Sequence, residues 1–398
     1  MHIGDSPDEA EFRALARGWL SQHAAPRTTG QTMHFDDLAE HVAECRTWQR
    51  TLADHGWAGI SWPAAFGGRG ASPIQSAIFN EEQGNYAVAT GAFAVAIGMV
   101  GPTLIAHGTP EQQAEFLPAM LRGDHVWCQL FSEPGAGSDL ASLGTRAVLD
   151  GDEWVVNGQK VWTSLGQFAD YAILLARTDI DAPKHKGITY FLLDMRTPGI
   201  EVRPLRQITG TAHFNEVFLT DVRIPRHAVV GEVHNGWRVA HTTLTSERAF
   251  IGGGNGSWTV DGLLALAKAN GAWDNPAVRQ ELMKATARAA TLQYLGYRMR
   301  TAFSQKRMPG PEMFIMKLAY SRHWAASMDT AMSVIGADAM LAEGEASSWG
   351  QYLLTQFAIR LGGGTDEVQA NIMAEQGLGL PREPSTDRDT AWKDLLRS

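Results

Sequence analysis

Ser132-Glu133-Pro134-Gly135-Ala136-Gly137-Ser138-Asp139 sets two glycines, a proline and two hydroxyls in one short loop, between a predicted strand and a second β segment. A loop with so little side-chain bulk lets a ligand approach the backbone closely and meet its N–H groups. A plain turn would carry the same residues. Gly158-Gln159-Lys160 followed by Val161-Trp162-Thr163-Ser164 brings a large ring and two hydroxyls to the same strand-rich region. Taken alone, a tryptophan there is more often core. Gly252-Gly253-Gly254-Asn255-Gly256 contains a G-x-G string, but it lies in a helical context with no strand before it, so it is no dinucleotide fingerprint. The 13 histidines form no H-x-x-x-H pair and match neither cysteine, so no metal is implied.

These stretches sit in a chain of 398 residues whose pattern runs helices, strands, helices. Ser6-Pro7-Asp8-Glu9 is a capped helix start, and Phe12, Leu15, Ala16, Trp19 and Leu20 then share one face. Helices are predicted from about 36 to 55 and through 74–122, with breaks at Gly108-Thr109-Pro110 and at Pro118. Near 123 short β-branched and aromatic runs begin, at 154–156, 171–176, 188–193 and 217–219, with a hairpin over Asp150-Gly151-Asp152. Helical character returns at about Gly236, with long segments at 259–303 and 312–335. We therefore expect an α+β chain of three parts: helices over 1–122, a β domain over 123–235 and helices over 236–398.

Composition narrows the function. With 44% hydrophobic and 19% charged residues the chain is ordinary globular material, and 34 basic against 43 acidic residues give a net charge of -9. No dense basic run exists to displace counterions, which argues against a nucleic-acid partner. Cys45 and Cys128 suit a reducing compartment. With no signal-peptide pattern and no long apolar span, the expected location is cytoplasmic and off the membrane.

In order and spacing, the EPGAGSD loop and the K-x-W-x-S strand resemble the acyl-CoA dehydrogenase family. So do Trp62-Pro63 with Phe66-Gly67-Gly68, Asn215 to Pro225, and Gly364-Thr365-Asp366-Glu367-Val368-Gln369. The resemblance covers nearly the whole chain. It implies an N-terminal helical domain, a middle β-barrel or sandwich domain and a C-terminal four-helix bundle. It also implies FAD, with Gln129, Phe131 and Ser132 along the flavin, Trp162 and Ser164 beside the ring, and Thr365 and Glu367 at further flavin contacts. Ser138 would face the acyl-CoA. For Thr365 and Glu367 a polar helix start after glycines is the alternative.

The family reaction removes an α-proton with a carboxylate while a hydride leaves the β-carbon for flavin N5. The commonest arrangement places that glutamate directly before the late Gly-Thr, where this chain has Gly363. A minority branch, to which isovaleryl-CoA dehydrogenase belongs, takes the base from an earlier Glu-Arg pair, matched here by Glu247-Arg248. The resemblance thus implies Glu247 as base and Arg248 near the thioester or the base. A helix-start glutamate paired with its neighbour is the structural alternative. Ala249 and Gly252 to Gly254 leave room for a branched or bulky, steroid-like acyl group.

Family homotetramers complete each flavin site from a neighbour with Arg and Phe-Gly, then Gln-x-x-Gly-Gly. Arg298 to Ser304 lacks the Phe-Gly, and Ser333 to Asp338 lacks the second pattern. That combination, with Gly377 to Glu383, is similar to the heteromeric steroid side-chain and pimeloyl-type enzymes. A paralogous partner subunit in an α2β2 assembly is therefore expected, a homo-oligomer being the alternative, with an electron-transfer flavoprotein as acceptor. Two other classes stay open. Glu247 argues against a flavin monooxygenase of the same fold. The retained EPGAGSD loop and Trp162 argue against a non-catalytic acyl-CoA-binding subunit.

Overall fold

The computed structural model describes residues 4–27, 37–251, 257–305, 307–341, 345–384 and 387–395. The chain divides into two compact units, one of residues 11–247 with 384–398, the other of 1–10 with 248–383.

The N-terminal helices are α1 (Pro7–His23), which enters the first unit at residue 11, α2 (Leu38–Asp54), α3 (Pro73–Gln83), α4 (Gly101–His107) and α5 (Pro110–Arg122). The predicted cap of α1 forms: the Ser6 hydroxyl accepts from the Glu9 N–H at 3.3 Å and the Glu9 carboxylate accepts from the Ser6 N–H at 3.0 Å. Phe12, Ala16 and Leu20 are buried, but Leu15, expected on the same face, is exposed. α5 runs through Pro118 where a break was expected, because one lost backbone bond is outweighed by burying Phe116, Leu117, Met120 and Leu121. Residues 84–93 hold no α-helix, and Gly91 there takes φ 113°.

The β domain is a sheet of seven strands: β1 (Trp127–Leu130), β2 (Arg146–Asp150), β3 (Glu153–Ser164), β4 (Tyr171–Arg177), β5 (Ile188–Asp194), β6 (Ile200–Leu205) and β7 (Phe214–Pro225). Its order is β1-β4-β2-β3-β7-β6, and β5 also pairs with β4. The predicted hairpin joins β2 and β3, with Gly151 at φ 63° in the turn. Sequence pattern did not reveal β6, whose Pro204 and exposed polar residues dilute the β signal on a strand at the end of the sheet. The core joins Leu130, Leu174, Phe191, Val217 and Leu219 from four strands.

α6 (Gly236–Ile251) carries the chain from the first unit into the second. The predicted segment 259–303 is two helices, α7 (Ser257–Ala269) and α8 (Pro276–Ser304). Gly271 at φ 74° ends the first, and Asn275 caps the second with Pro276 at its first position. α9 (Glu312–Ile335) contacts α7, α8 and α10 (Glu345–Leu361), giving the helical C-terminal domain, to which the short α11 (Asp366–Ile372) is added.

Candidate active site

Two strand ends meet where the motif residues lie. The Val161 N–H donates to the Ser132 carbonyl at 2.9 Å, which sets the continuation of β1, Phe131 and Ser132, beside Trp162 on β3. Between Lys160 and Thr163 the register of β3 against β7 slips by one residue: Lys160 faces Val217 and Thr163 faces Asn215. That bulge puts Trp162 in the left-handed region at φ 62°, a conformation costing a non-glycine residue on the order of 1 kcal/mol. Trp162 is 62% exposed, and among the described residues its one aromatic contact is edge-on to Phe214 at 6.2 Å. Beside it the Thr163 hydroxyl is buried with no hydrogen-bond partner among the described residues. An uncovered indole at a strained bulge next to an orphaned hydroxyl fits a flat, polar-edged ring such as a flavin.

A buried lysine holds this edge together. The Lys160 side chain is fully buried and donates to the Phe131 carbonyl at 3.0 Å and to the Glu133 carboxylate at 2.8 Å. Glu133 also accepts from the Gly144 N–H at 2.6 Å and the Thr145 N–H at 2.9 Å. Burial alone would raise the Glu133 carboxyl, but the Lys160 charge and these donors hold it below the ordinary range. For Lys160 burial wins, lowering the ammonium despite Glu133. Sequence analysis gave neither residue a role. A lysine inside a strand that otherwise faces a core was the available signal, since such a charge is retained only with a carboxylate.

Beyond Glu133 the loop turns through a Glu133–Ala136 bridge, and Gly135, Gly137, Ser138 and Asp139 are exposed. A Cβ added at Gly135 or Gly137 would meet nothing within 4 Å. Ser138 therefore lies on an open stretch, accessible to a ligand.

α6 is tied to the same strands. Phe131 packs edge-on against Tyr190 of β5 at 5.9 Å, and the Tyr190 hydroxyl lies 3.1 Å from the Thr243 hydroxyl of α6. Thr103 of α4 closes the triad at 2.9 Å from Thr243, and His107 pairs with Thr242 at 2.8 Å. Burial pushes the Tyr190 phenol up, which keeps it a neutral donor. Glu247 follows Thr243 by four residues on the same helix face, about 6 Å further along the axis, and is half-buried. Nothing in the sequence pattern marked Tyr190 or Thr243. The Arg248 side chain and residues 252–256, with the small-residue stretch read as acyl space, lie outside the described residues.

In the second unit Gly363 and Gly364 take φ 66° and 89°. The position where a late glutamate would stand thus has a backbone that side chains rarely adopt. Lys317 donates to the Gly364 carbonyl at 2.7 Å and the Gln369 amide to the Gly363 carbonyl at 2.9 Å, holding the turn. The Thr365 hydroxyl caps α11, accepting from the Val368 N–H at 3.2 Å, and Glu367 is exposed. Buried Asp366 accepts from Ser321 at 2.6 Å and from Arg360 at 3.1 Å, with Lys317 at 3.5 Å. Nearby arginines are also occupied: Arg300 binds Asp5 at 2.6 Å and Glu9 at 3.1 Å, and Arg298 reaches Glu312 at 3.5 Å.

Helices, a sheet that closes a glycine-rich loop on a buried lysine, and helices again define an oxidoreductase of the acyl-CoA dehydrogenase fold. The chain belongs to the acyl-CoA dehydrogenase family: residues 6–124 match its N-terminal domain, 128–222 its middle domain and 234–378 its C-terminal domain. It is 40% identical to the acyl-CoA dehydrogenase IpdE1 of Mycobacterium tuberculosis over 94% of this chain and 99% of that one. It is 42% identical to the acyl-CoA dehydrogenase FadE34 of the same organism over 84% of this chain but 46% of that protein. Among solved structures the Tcur3481-Tcur3483 steroid acyl-CoA dehydrogenase superposes with a TM-score of 0.81 at 30% identity, covering 96% of this chain and 100% of that one.

Proposed function

We propose that this chain dehydrogenates an acyl-CoA to the trans-2-enoyl-CoA, with Glu247 taking the α-proton. When bound, FAD supplies the acceptor for the hydride lost from the β-carbon. Gln129, Phe131, Ser132, Trp162 and Ser164 hold its ring, Thr365 and Glu367 add contacts, and Ser138 binds the substrate. Arg248 stands beside the base or the thioester. The observation that carries this reading is the tie from Phe131 through Tyr190 to Thr243, one helical turn before Glu247. It fixes the carboxylate-bearing helix to the strands that bear the flavin-matching residues. A base held on rigid elements is the arrangement that proton abstraction from a weak carbon acid needs.

The acyl group is bulky, of the steroid side-chain kind, and the assembly is an α2β2 pair with a paralogue. Support for the first is the likeness to a steroid enzyme at 30% identity. For the second, Arg300 is engaged within this chain by Asp5 and Glu9, which leaves it poorly available to a neighbour's cofactor. The solved relative is itself named for two chains, and this chain matches 46% of FadE34. An electron-transfer flavoprotein takes the electrons onward. Purification alone and with the nearest paralogue, followed by anaerobic addition of straight, branched and steroid acyl-CoAs, tests all of this. Partner-dependent bleaching by a steroid thioester is expected. A flavin that no thioester bleaches would overturn the activity, and a stable tetramer of this chain with one FAD per protomer would overturn the pairing.

A further inference from the structure

In the exposed stretch Gly137-Ser138-Asp139 the side-chain bonds found among the described residues are those of Asp139, so Gly137 and Ser138 are set from the two ends. One end is the Glu133 anchor on Lys160. The other is the short helical turn Leu140–Ser142, and what holds it comes from far away in sequence. Trp392 is buried, and its indole N–H donates to the Ser142 carbonyl at 3.3 Å. Its ring lies under the Arg177 guanidinium at 4.9 Å, and Arg177, fully buried, donates to the Ala141 carbonyl at 2.6 Å. The Trp392 and Lys393 N–H groups donate to the carbonyls of Ala182 and Ile180 at 2.9 and 3.0 Å, and Lys393 pairs with Asp181 at 2.6 Å. Lys184 then joins the two segments, 2.8 Å from Asp139 and 3.9 Å from Asp387.

We propose that the segment 387–395 is the second anchor of the Ser138 loop, with Trp392 as a positioning residue for acyl-CoA binding. This rests on the assignment of Ser138 to the acyl-CoA. An indole N–H bond, a cation–π contact and two backbone bonds hold the far end of this loop, beside the bonds that Asp139 makes to Ser142 and Lys184, and together they are ample to select one conformation of three exposed residues. Without the contacts of Trp392 and Lys393 the loop is fixed at the flavin end and, at the other, only by the bonds of exposed Asp139. Substrate affinity then falls while the flavin edge, held by Lys160, is untouched.

The test uses the full chain, with its paralogue if flavin loading needs it, and compares wild type with Trp392→Ala and Trp392→Phe. Trp392→Ala should raise KM for the acyl-CoA that bleaches the wild type about tenfold, which is about 1.4 kcal/mol. It should leave kcat within about twofold and flavin content unchanged. Trp392→Phe keeps the ring over Arg177 but loses the indole N–H, and should shift KM by about two- to threefold in the same direction. If Trp392→Ala does not fold, the phenylalanine variant decides. Unchanged KM in a folded variant, or equal loss of kcat and flavin, would overturn the proposal. A wild type that no acyl-CoA bleaches would instead overturn the activity on which it rests.

Discussion

Lys160 and Lys317 solve the same problem in two regions with different stakes. Each is a buried lysine that pins a turn through a backbone carbonyl and a carboxylate, Lys160 on Phe131 and Glu133, Lys317 on Gly364 and Asp366. Among the described residues the Glu133 carboxylate pairs with one cation, Lys160, and its other bonds come from the N–H groups of Gly144 and Thr145, just before β2. Asp366 has a second cation, Arg360, itself 44% exposed, and the Ser321 hydroxyl. The first turn carries motif residues assigned to flavin. The second holds a turn around Gly363, a position that carries no side chain. With Glu247 as the proposed base, scaffold and chemistry are separable, and this turn need not contain the base.

Breaking the pair with one cation should cost most. Lys160→Met leaves Glu133 buried and unpaired, so chemical denaturation should show a loss of about 3–5 kcal/mol together with lower flavin content. Adding Glu133→Gln should recover part of it, and strict additivity would deny the pairing. Lys317→Met should cost less, about 1–3 kcal/mol, because Arg360 and Ser321 still satisfy Asp366. A loss equal to that of Lys160→Met would erase the distinction. Gly363→Ala should cost about 1 kcal/mol from the left-handed backbone, read as a small drop in Tm, and leave flavin reduction unchanged. A large fall in reduction would return the chemistry to that turn.

The smallest effect concerns pH. Burial would raise Glu133 and Asp366, but Lys160 in one case and Ser321, Arg360 and Lys317 in the other hold both below ordinary carboxylates. A carboxyl lowered in the fold stabilises fully above its unfolded value of about 4, and that contribution is lost as pH falls through the lower folded value. Stability measured from pH 6 downward should therefore decline below about pH 4, and less steeply in Glu133→Gln. An unaltered slope would mean that Glu133 is not held low.

Much of this was legible in the residues. The capping box at Ser6 and Glu9, the Asp150–Asp152 hairpin and the Glu312–Ile335 helix follow from local spacing, and the structure has all three. The EPGAGSD loop and Trp162 stood out through the order and spacing they share with the family, since each alone reads as a plain turn or a core residue. Pro118 misled because tertiary burial overrode a local rule, and the break at Gly271 to Pro276 was hidden inside a continuous apolar pattern. Lys160, Tyr190, Thr243 and Trp392 act through partners 27 to 250 residues away in sequence, and no local pattern reports such a contact. The distinction between a lost base and a moved one came only from comparing Gly363 with Glu247.

The most direct measurement is anaerobic stopped-flow reduction of the bound flavin by its best acyl-CoA in wild type and Glu247→Gln. With Glu247 as base, the variant should bind flavin and thioester as the wild type does and be reduced at least about 10³-fold more slowly. Reduction at the wild-type rate would contradict the account and leave the proton to another group.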